Sequence, residues 1–182
     1  MKLRAVVFDN FISETEAKFF REYVKHGIAN PSSQVTLNKI RDGESNLTKV
    51  ERHYFSLCSP FNFHKRVKDL AEKEYDVKLK YRPDAYGHLM HYTGDSEGLE
   101  WHNEPNMAYV SASINITPDH MYEGAEFQIK NWDGRTPYKS LILYYSVMTH
   151  RVTELLYGEK MSLVMWLPKH DQKVNNKQWK LD

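Results

Sequence analysis

Four residues in the second half of the chain have side chains that can do chemistry together: His102, Glu104, His150 and Lys160. His102 and Glu104 stand two apart in Trp101-His102-Asn103-Glu104, and in extended chain residues i and i+2 point to the same face. An imidazole and a carboxylate placed in that way converge on one cation. His150 is the best third donor: it ends the apolar run that begins at Leu141, and a sheet brings the ends of distant strands together. Two imidazoles and one carboxylate on one side of a metal leave three positions open, which suits ferrous iron taking a chelating cosubstrate and O₂ together. Lys160 follows His150 by ten residues and opens the run to Leu167. A cation entering a buried strand is costly unless it meets an anion. A dicarboxylate, held by the metal at one end and the ammonium at the other, meets that need. Tyr92, ten residues before His102, is placed to donate a phenolic hydrogen bond to the same molecule.

These residues need a sheet to hold them. From Lys78 onward, short runs of strand-forming residues follow one another at 85–92, 108–116, 125–130, 140–146 and 161–167, divided by Gly, Pro, Asn and Asp. The intervals are too short for crossover helices, so the sheet is expected to be mainly antiparallel. The first part reads differently. Leu3 to Phe8 is an apolar strand. Ser13-Glu14-Thr15-Glu16 is a capping box, and Phe19, Phe20, Tyr23 and Val24 recur at helical spacing up to a stop at Gly27, which predicts a helix over 14–26. His53 to Cys58 reads as a further strand. Ser59-Pro60 opens a second predicted helix, with Phe63, Val67, Leu70, Ala71 and Tyr75 on one face. The polar stretch 35–50 is expected to be a long loop, either a lid over the site or a disordered tip. Helices first and strands after give an α+β chain, mainly β: a sandwich or barrel buttressed by helices on one face. The expected organisation is one domain over 1–182, with helical support at about 1–77 and the catalytic β core at about 78–168.

Composition narrows the partners. With 25 Lys and Arg against 24 Asp and Glu, the formal charge is +1, which does not point to a general nucleic-acid binder. No stretch is apolar for long enough to span a membrane, and the apolar run 5–8 is too short for a signal peptide core. The one cysteine, Cys58, excludes an internal disulfide and a Cys-rich zinc site, and the default setting is a reducing cytoplasm. Oligomeric state is not legible.

The stretch from Tyr92 to Trp166 resembles the catalytic core of the prolyl 4-hydroxylase-like 2-oxoglutarate/Fe(II) oxygenases. His102-Asn103-Glu104, Ile114-Asn115, Gly124-Ala125-Glu126-Phe127, His150, Lys160 and Trp166 follow the family order and spacing, Tyr92-Thr93-Gly94-Asp95 is close to its first piece with the glycine one place early, and Val6 to Ser13 resembles its strand-into-helix opening. The fold that the resemblance implies is a double-stranded β-helix (jelly roll, cupin-like) with N-terminal supporting helices. The resemblance implies that His102, Glu104 and His150 ligate iron, that Lys160 grips the distal carboxylate of 2-oxoglutarate and that Tyr92 supports it. It also implies hydroxylation of an unactivated C–H bond in a peptidyl residue, proline among them, or in a small amino-acid-like metabolite, with O₂ consumed and 2-oxoglutarate converted to succinate and CO₂. Glu104 departs from the family's Asp by one methylene, and Ala125 from its second glycine. A retained carboxylate argues for hydroxylation over halogenation, since halogenating relatives lack that ligand.

Each piece alone has a blander reading. His-x-Glu is a common surface pair, and Lys160 alone reads as a loop lysine. Tyr92 alone is an ordinary barrel tyrosine. His88 and His91 are three apart, face opposite sides of a strand and read as core or rim residues. Trp101, Trp132 and Trp166 read as packing, with Trp101 able to line the mouth, and Cys58 reads as a small core residue. Asn103, Asn106, Arg135 and Arg151 lie near the expected mouth and read as ordinary surface. Two rivals remain: a non-catalytic metal-binding jelly roll, and a cupin-type metalloenzyme that uses no 2-oxoglutarate.

Overall fold

The structure, a computed structural model, describes residues 3–25, 34–41, 44–56, 61–81, 86–94, 96–105 and 108–171. It opens with β1 (Ala5–Phe8) and α1 (Glu14–Lys25). The capping box closes α1 as expected: the Ser13 amide donates to Glu16 Oε2 at 2.8 Å, and the Glu16 amide donates to Ser13 Oγ at 3.2 Å. The helix is described to Lys25, so the stop at Gly27 lies outside the described residues. Two long strands follow, β2 (Gln34–Arg41) and β3 (Glu44–Ser56), and then α2 (Phe63–Tyr75). The remaining strands are β4 (Tyr86–Tyr92), β5 (Leu99–His102), β6 (Val110–Asn115), β7 (Tyr122–Gly124), β8 (Phe127–Ile129), β9 (Leu141–Tyr145), β10 (His150–Val152), β11 (Leu155–Gly158) and β12 (Lys160–Leu167). A single 3₁₀ turn, Asp119–Met121, precedes β7.

Two expectations are corrected. Residues 35–41 and 44–50 are strand and not loop. β2 pairs with β3 as an antiparallel hairpin from Gln34 opposite Glu51 to Arg41 opposite Glu44, and β3 continues onto β4 from Glu51 opposite His91 to Ser56 opposite Tyr86. Backbone pairing along an open sheet edge supplies the order that the polar, weakly periodic sequence hides. The strand expected at 53–58 is the end of β3. The second helix starts at Phe63 behind Asn62, which sits in the left-handed region at φ 50, and not at Pro60. Pro60 and Cys58 lie outside the described residues.

Every pairing is antiparallel. One sheet of seven strands runs β1-β9-β6-β12-β4-β3-β2, three strands run β5-β10-β8, and β11 pairs with β7. The period of two along the central strands sorts side chains between two layers. On β9, Leu141, Leu143 and Tyr145 face the helices, where they join Phe20, Phe63, Val67 and Ala71 in the main core, while Ile142 and Tyr144 pack with Ile129 on the other side. On β12, Met161, Leu163, Met165 and Leu167 join the helix-side core, and Val164 packs with Met90, Tyr92, Phe127 and Val152. The helices therefore cover one face of the large sheet, and the short strands close over the other, which makes the double-stranded β-helix. Arg21 ties α1 to the sheet through the Ile116 carbonyl at 2.7 Å, and Arg66 ties α2 to the Phe11 carbonyl at 2.9 Å. No helix among the described residues is long and apolar enough to cross a membrane.

Leu163 is fully buried between β4 and β6 on the helix side. Replacing Leu163 with Ala is expected to cost about 2–5 kcal/mol through lost contacts and a residual cavity, read as a lower denaturant midpoint with an unchanged slope.

Candidate metal centre

The site begins with a backbone register. β10 pairs with β5 so that His150 lies opposite His102, and β10 pairs on its other side with β8, where His150 lies opposite Ile129. Directly opposed residues project to the same face, and the two imidazoles meet with ring centroids 4.3 Å apart. Each ring is turned by a carbonyl two residues back in the chain. His102 Nδ1 lies 2.6 Å from the Glu100 carbonyl oxygen, and His150 Nδ1 lies 2.9 Å from that of Met148. A carbonyl only accepts, so each Nδ1 carries the proton and donates, and each Nε2 keeps its lone pair for a ligand. Burial, with His102 alongside, pushes the His150 imidazole down to about 4, so it is neutral at physiological pH.

Glu104 comes from the segment after β5. Its amide donates to the Ser146 carbonyl at 2.8 Å, just past β9. Its Oε2 lies 3.9 Å from His150 Nε2 and accepts a hydrogen bond from Trp166 Nε1 at 2.6 Å. One ligand atom from each of His102, Glu104 and His150 lies within 4.8 Å of the others, the one such cluster among the described residues. Two imidazole nitrogens with the required tautomer and one carboxylate fit a first-row divalent metal, with the opposite side left for other ligands. Tyr144 is wholly enclosed beside this cluster. Its hydroxyl lies 3.4 Å from His150 Nε2, and burial, with Glu104 nearby, pushes the phenol well above its usual range.

The wall facing the short strands is unusual for a fully buried strand. β6 reads Val-Ser-Ala-Ser-Ile-Asn, with Val110, Ala112 and Ile114 on the helix side and Ser111, Ser113 and Asn115 on the interior side, all six buried. Beside it on β12, Ser162 and Lys160 are also buried. Lys160 sits opposite Tyr92 in the β12–β4 register, and Tyr92 is buried too. The ammonium donates to the Ala125 carbonyl and lies 5.1 Å from the centre of the Tyr122 ring. No carboxylate lies within ion-pair distance of it among the described residues. Burial pushes Lys160 down to about 8, against the longer-range pull of Asp119 and Glu126. Ala125 and Gly124 before it both take left-handed backbone, at φ 45 and φ 79. A Cβ at Gly124 would come within 2.2 Å of the Glu154 carbonyl oxygen, so that place requires glycine.

The other candidate residues are spread out. His88 is buried against Trp166, with ring centroids 4.6 Å apart, and His91 lies 3.4 Å from Glu159 at the rim. Arg151, next to His150, projects to the other face and stacks on Trp101 at 4.6 Å. Asn103 and Arg135 are exposed, and Asn106 lies outside the described residues. Trp166 is more than the packing residue expected from sequence, since it holds a carboxylate oxygen. Alternation of small polar and apolar residues in β6 was the available signal for a polar interior.

No protein-family model matches the chain. A PKHD-type hydroxylase from Prochlorococcus marinus (strain AS9601) is 27% identical over 77 residues, which are 40% of this chain and 35% of that protein, so the match spans about a third of the relative's length. Among solved structures, a Pseudomonas putida prolyl-4-hydroxylase superposes with TM-score 0.66 at 12% identity, over 91% of this chain and 92% of that one. A Trichoplax adhaerens prolyl hydroxylase, in complex with a hypoxia inducible factor oxygen degradation domain peptide fragment, gives 0.66 at 14% identity over 92% and 84%. EctD from S. alaskensis with 2-oxoglutarate and 5-hydroxyectoine gives 0.63 at 10% over 94% and 74%. The chain shares the fold of these two prolyl hydroxylases and of EctD.

Lys160 makes the interior testable without any ligand. Its folded value of about 8 lies below the ordinary unfolded value of about 10.4, so folding expels a proton between those limits. The cost of burying the ammonium is fully present below pH 8 and is relieved as pH rises towards 10.4. Replacing Lys160 with Met is therefore expected to stabilise the protein at pH 7, by at most on the order of 3 kcal/mol. That gain should shrink steadily from pH 8 to 10.4 in paired urea unfolding curves.

Proposed function

We propose that this protein is an Fe(II)/2-oxoglutarate-dependent dioxygenase, with His102, Glu104 and His150 as the iron ligands and Lys160 and Tyr92 as the cosubstrate contacts. Iron, when bound, supplies the redox chemistry that couples O₂ and 2-oxoglutarate to hydroxylation: R–H, O₂ and 2-oxoglutarate give R–OH, succinate and CO₂. The protein's residues do the rest. The two Nε2 atoms and the Glu104 carboxylate offer three donors on one side. Lys160 offers an ammonium to the distal carboxylate of the keto-diacid, Tyr92 stands opposite it in register, and Ser111, Ser113 and Ser162 give a polar, narrow lining.

The observation that carries this reading is the buried Lys160, which has no carboxylate at ion-pair distance among the described residues, in the same interior as the His-Glu-His cluster. A metal site that takes no diacid leaves that cation unexplained. For the substrate, we propose an unactivated C–H in a peptidyl residue, proline among them, or in a compact amino-acid-like metabolite. The two kinds are represented by the peptide complex of the Trichoplax enzyme and the 5-hydroxyectoine complex of EctD. We also read residues 1–182 as one catalytic domain, and a lone cysteine fits a reducing, cytoplasmic setting.

Anaerobic titration of Fe(II)-loaded protein with 2-oxoglutarate is expected to raise the weak visible band of the chelate. Its absence in folded, iron-loaded protein would overturn the cosubstrate assignment. Lys160→Ala is expected to weaken 2-oxoglutarate binding by about 30-fold or more, the usual cost of stripping a buried carboxylate of its partner, with Fe(II) affinity retained. Wild-type affinity for 2-oxoglutarate should fall as pH rises past about 8, where free Lys160 loses its proton, and the Lys160→Ala protein should lose that dependence.

A further inference from the structure

We infer that Trp166 is a positioning residue for Glu104: its indole N–H holds Oε2 and so aims the longer carboxylate at the histidine pair. This rests on the reading of His102, Glu104 and His150 as a metal centre. Compared with the Asp of the resembling pattern, Glu104 has one more methylene and one more rotatable bond. A longer carboxylate can swing, or turn both oxygens to a metal and chelate it. The structure restrains it at both ends. The Glu104 amide is held by the Ser146 carbonyl at 2.8 Å, and Oε2 is held by Trp166 Nε1 at 2.6 Å. The hydrogen bond to a charged acceptor is short and therefore strong.

The donor is itself fixed. Trp166 lies on β12, opposite Ser111 of β6, inside the seven-stranded sheet. Its ring stands edge-on to buried His88, with centroids 4.6 Å apart and planes at 75°. An indole wedged there cannot follow a swinging carboxylate, so the carboxylate must come to it. The bond from the N–H fixes where Oε2 lies, so the carboxylate cannot swing away without breaking it. The same contact keeps Glu104 within reach of His150, 3.9 Å from Nε2, before any metal arrives.

Two measurements test this. The first needs no metal. Of the four tryptophans, the indole ¹⁵N–¹H signal lost in Trp166→Phe is that of Trp166. It is expected downfield of the others, and Glu104→Ala should move it upfield. A signal indifferent to Glu104→Ala overturns the inference. The second is anaerobic Co(II) titration. Trp166→Phe, which keeps an aromatic ring beside His88, is expected to weaken Co(II) binding by about tenfold, the usual scale for a lost hydrogen bond to a ligand. Its Co(II) absorption bands should shift as the carboxylate loses its fixed position. In a Glu104→Asp background the shorter side chain does not reach the indole, and Trp166→Phe should change affinity by no more than about twofold, within the scatter of such non-additivity. Equal losses in both backgrounds would mean general damage to the site and overturn the inference. Should Trp166→Phe fail to fold, Trp166→Tyr serves both measurements. If wild-type protein takes no Co(II), the metal-centre reading falls and the positioning role with it. If it binds Co(II) and Trp166→Phe binds equally well, only the role of Trp166 falls.

Discussion

Strand β10 is three residues long, yet it is hydrogen-bonded on both sides, to β5 and to β8, and its first residue sits opposite His102. That register brings together two imidazoles separated by almost fifty positions in the chain, and the local turns place a carbonyl behind each Nδ1. A shift of one residue in a strand moves every side chain to the opposite face. His150 would then point outward, where Arg151 now stacks on Trp101, and the cluster would vanish. The rest of the architecture holds this register in place: the large sheet lies beneath it, and the helices press on that sheet from behind.

The interior of the sandwich is built for a polar guest. A sheet covered on both faces ordinarily carries apolar residues throughout. Here β6 is apolar only on the helix side, and the side of β6 and β12 towards the short strands carries Ser111, Ser113, Asn115, Ser162 and Lys160 beside Val164 and Trp166. Asn115 is held in a network of its own, donating to Tyr122 and Asp119 and accepting from the Thr117 amide. Lys160 is different in kind, because one carbonyl and the face of a ring do not replace the hydration of an ammonium. Proteins tolerate such a group where its charge is used.

Much of this was legible in the residues. Glu16 three places after Ser13 marked the start of α1, and apolar periodicity marked α2 and the longer strands β4, β6, β9 and β12. The His102, Glu104, His150 and Lys160 spacing singled out the residues that the fold draws into one interior. What stayed hidden has physical causes. β5, β7, β10 and β11 are three or four residues long, too short to show a period of two. The β2–β3 hairpin is polar, and its order comes from pairing onto β4, a tertiary contact that no local pattern announces. Trp166 looked like packing because a tryptophan in a central strand usually is packing. Its N–H meets Glu104 only through the return of the chain past β9.

The amide of Glu104 is bonded to Ser146, and the Ser146 amide and hydroxyl are bonded in turn to the Tyr109 carbonyl and to Ser111. The third donor thus hangs from the central strands by main-chain links. A pocket whose donors are already aimed surrenders little conformational freedom when an ion arrives, in contrast to small zinc modules that are unstructured until loaded. A scaffold held in this way does not depend on an ion for its order, so any ion the cluster takes should be removable without unfolding the chain.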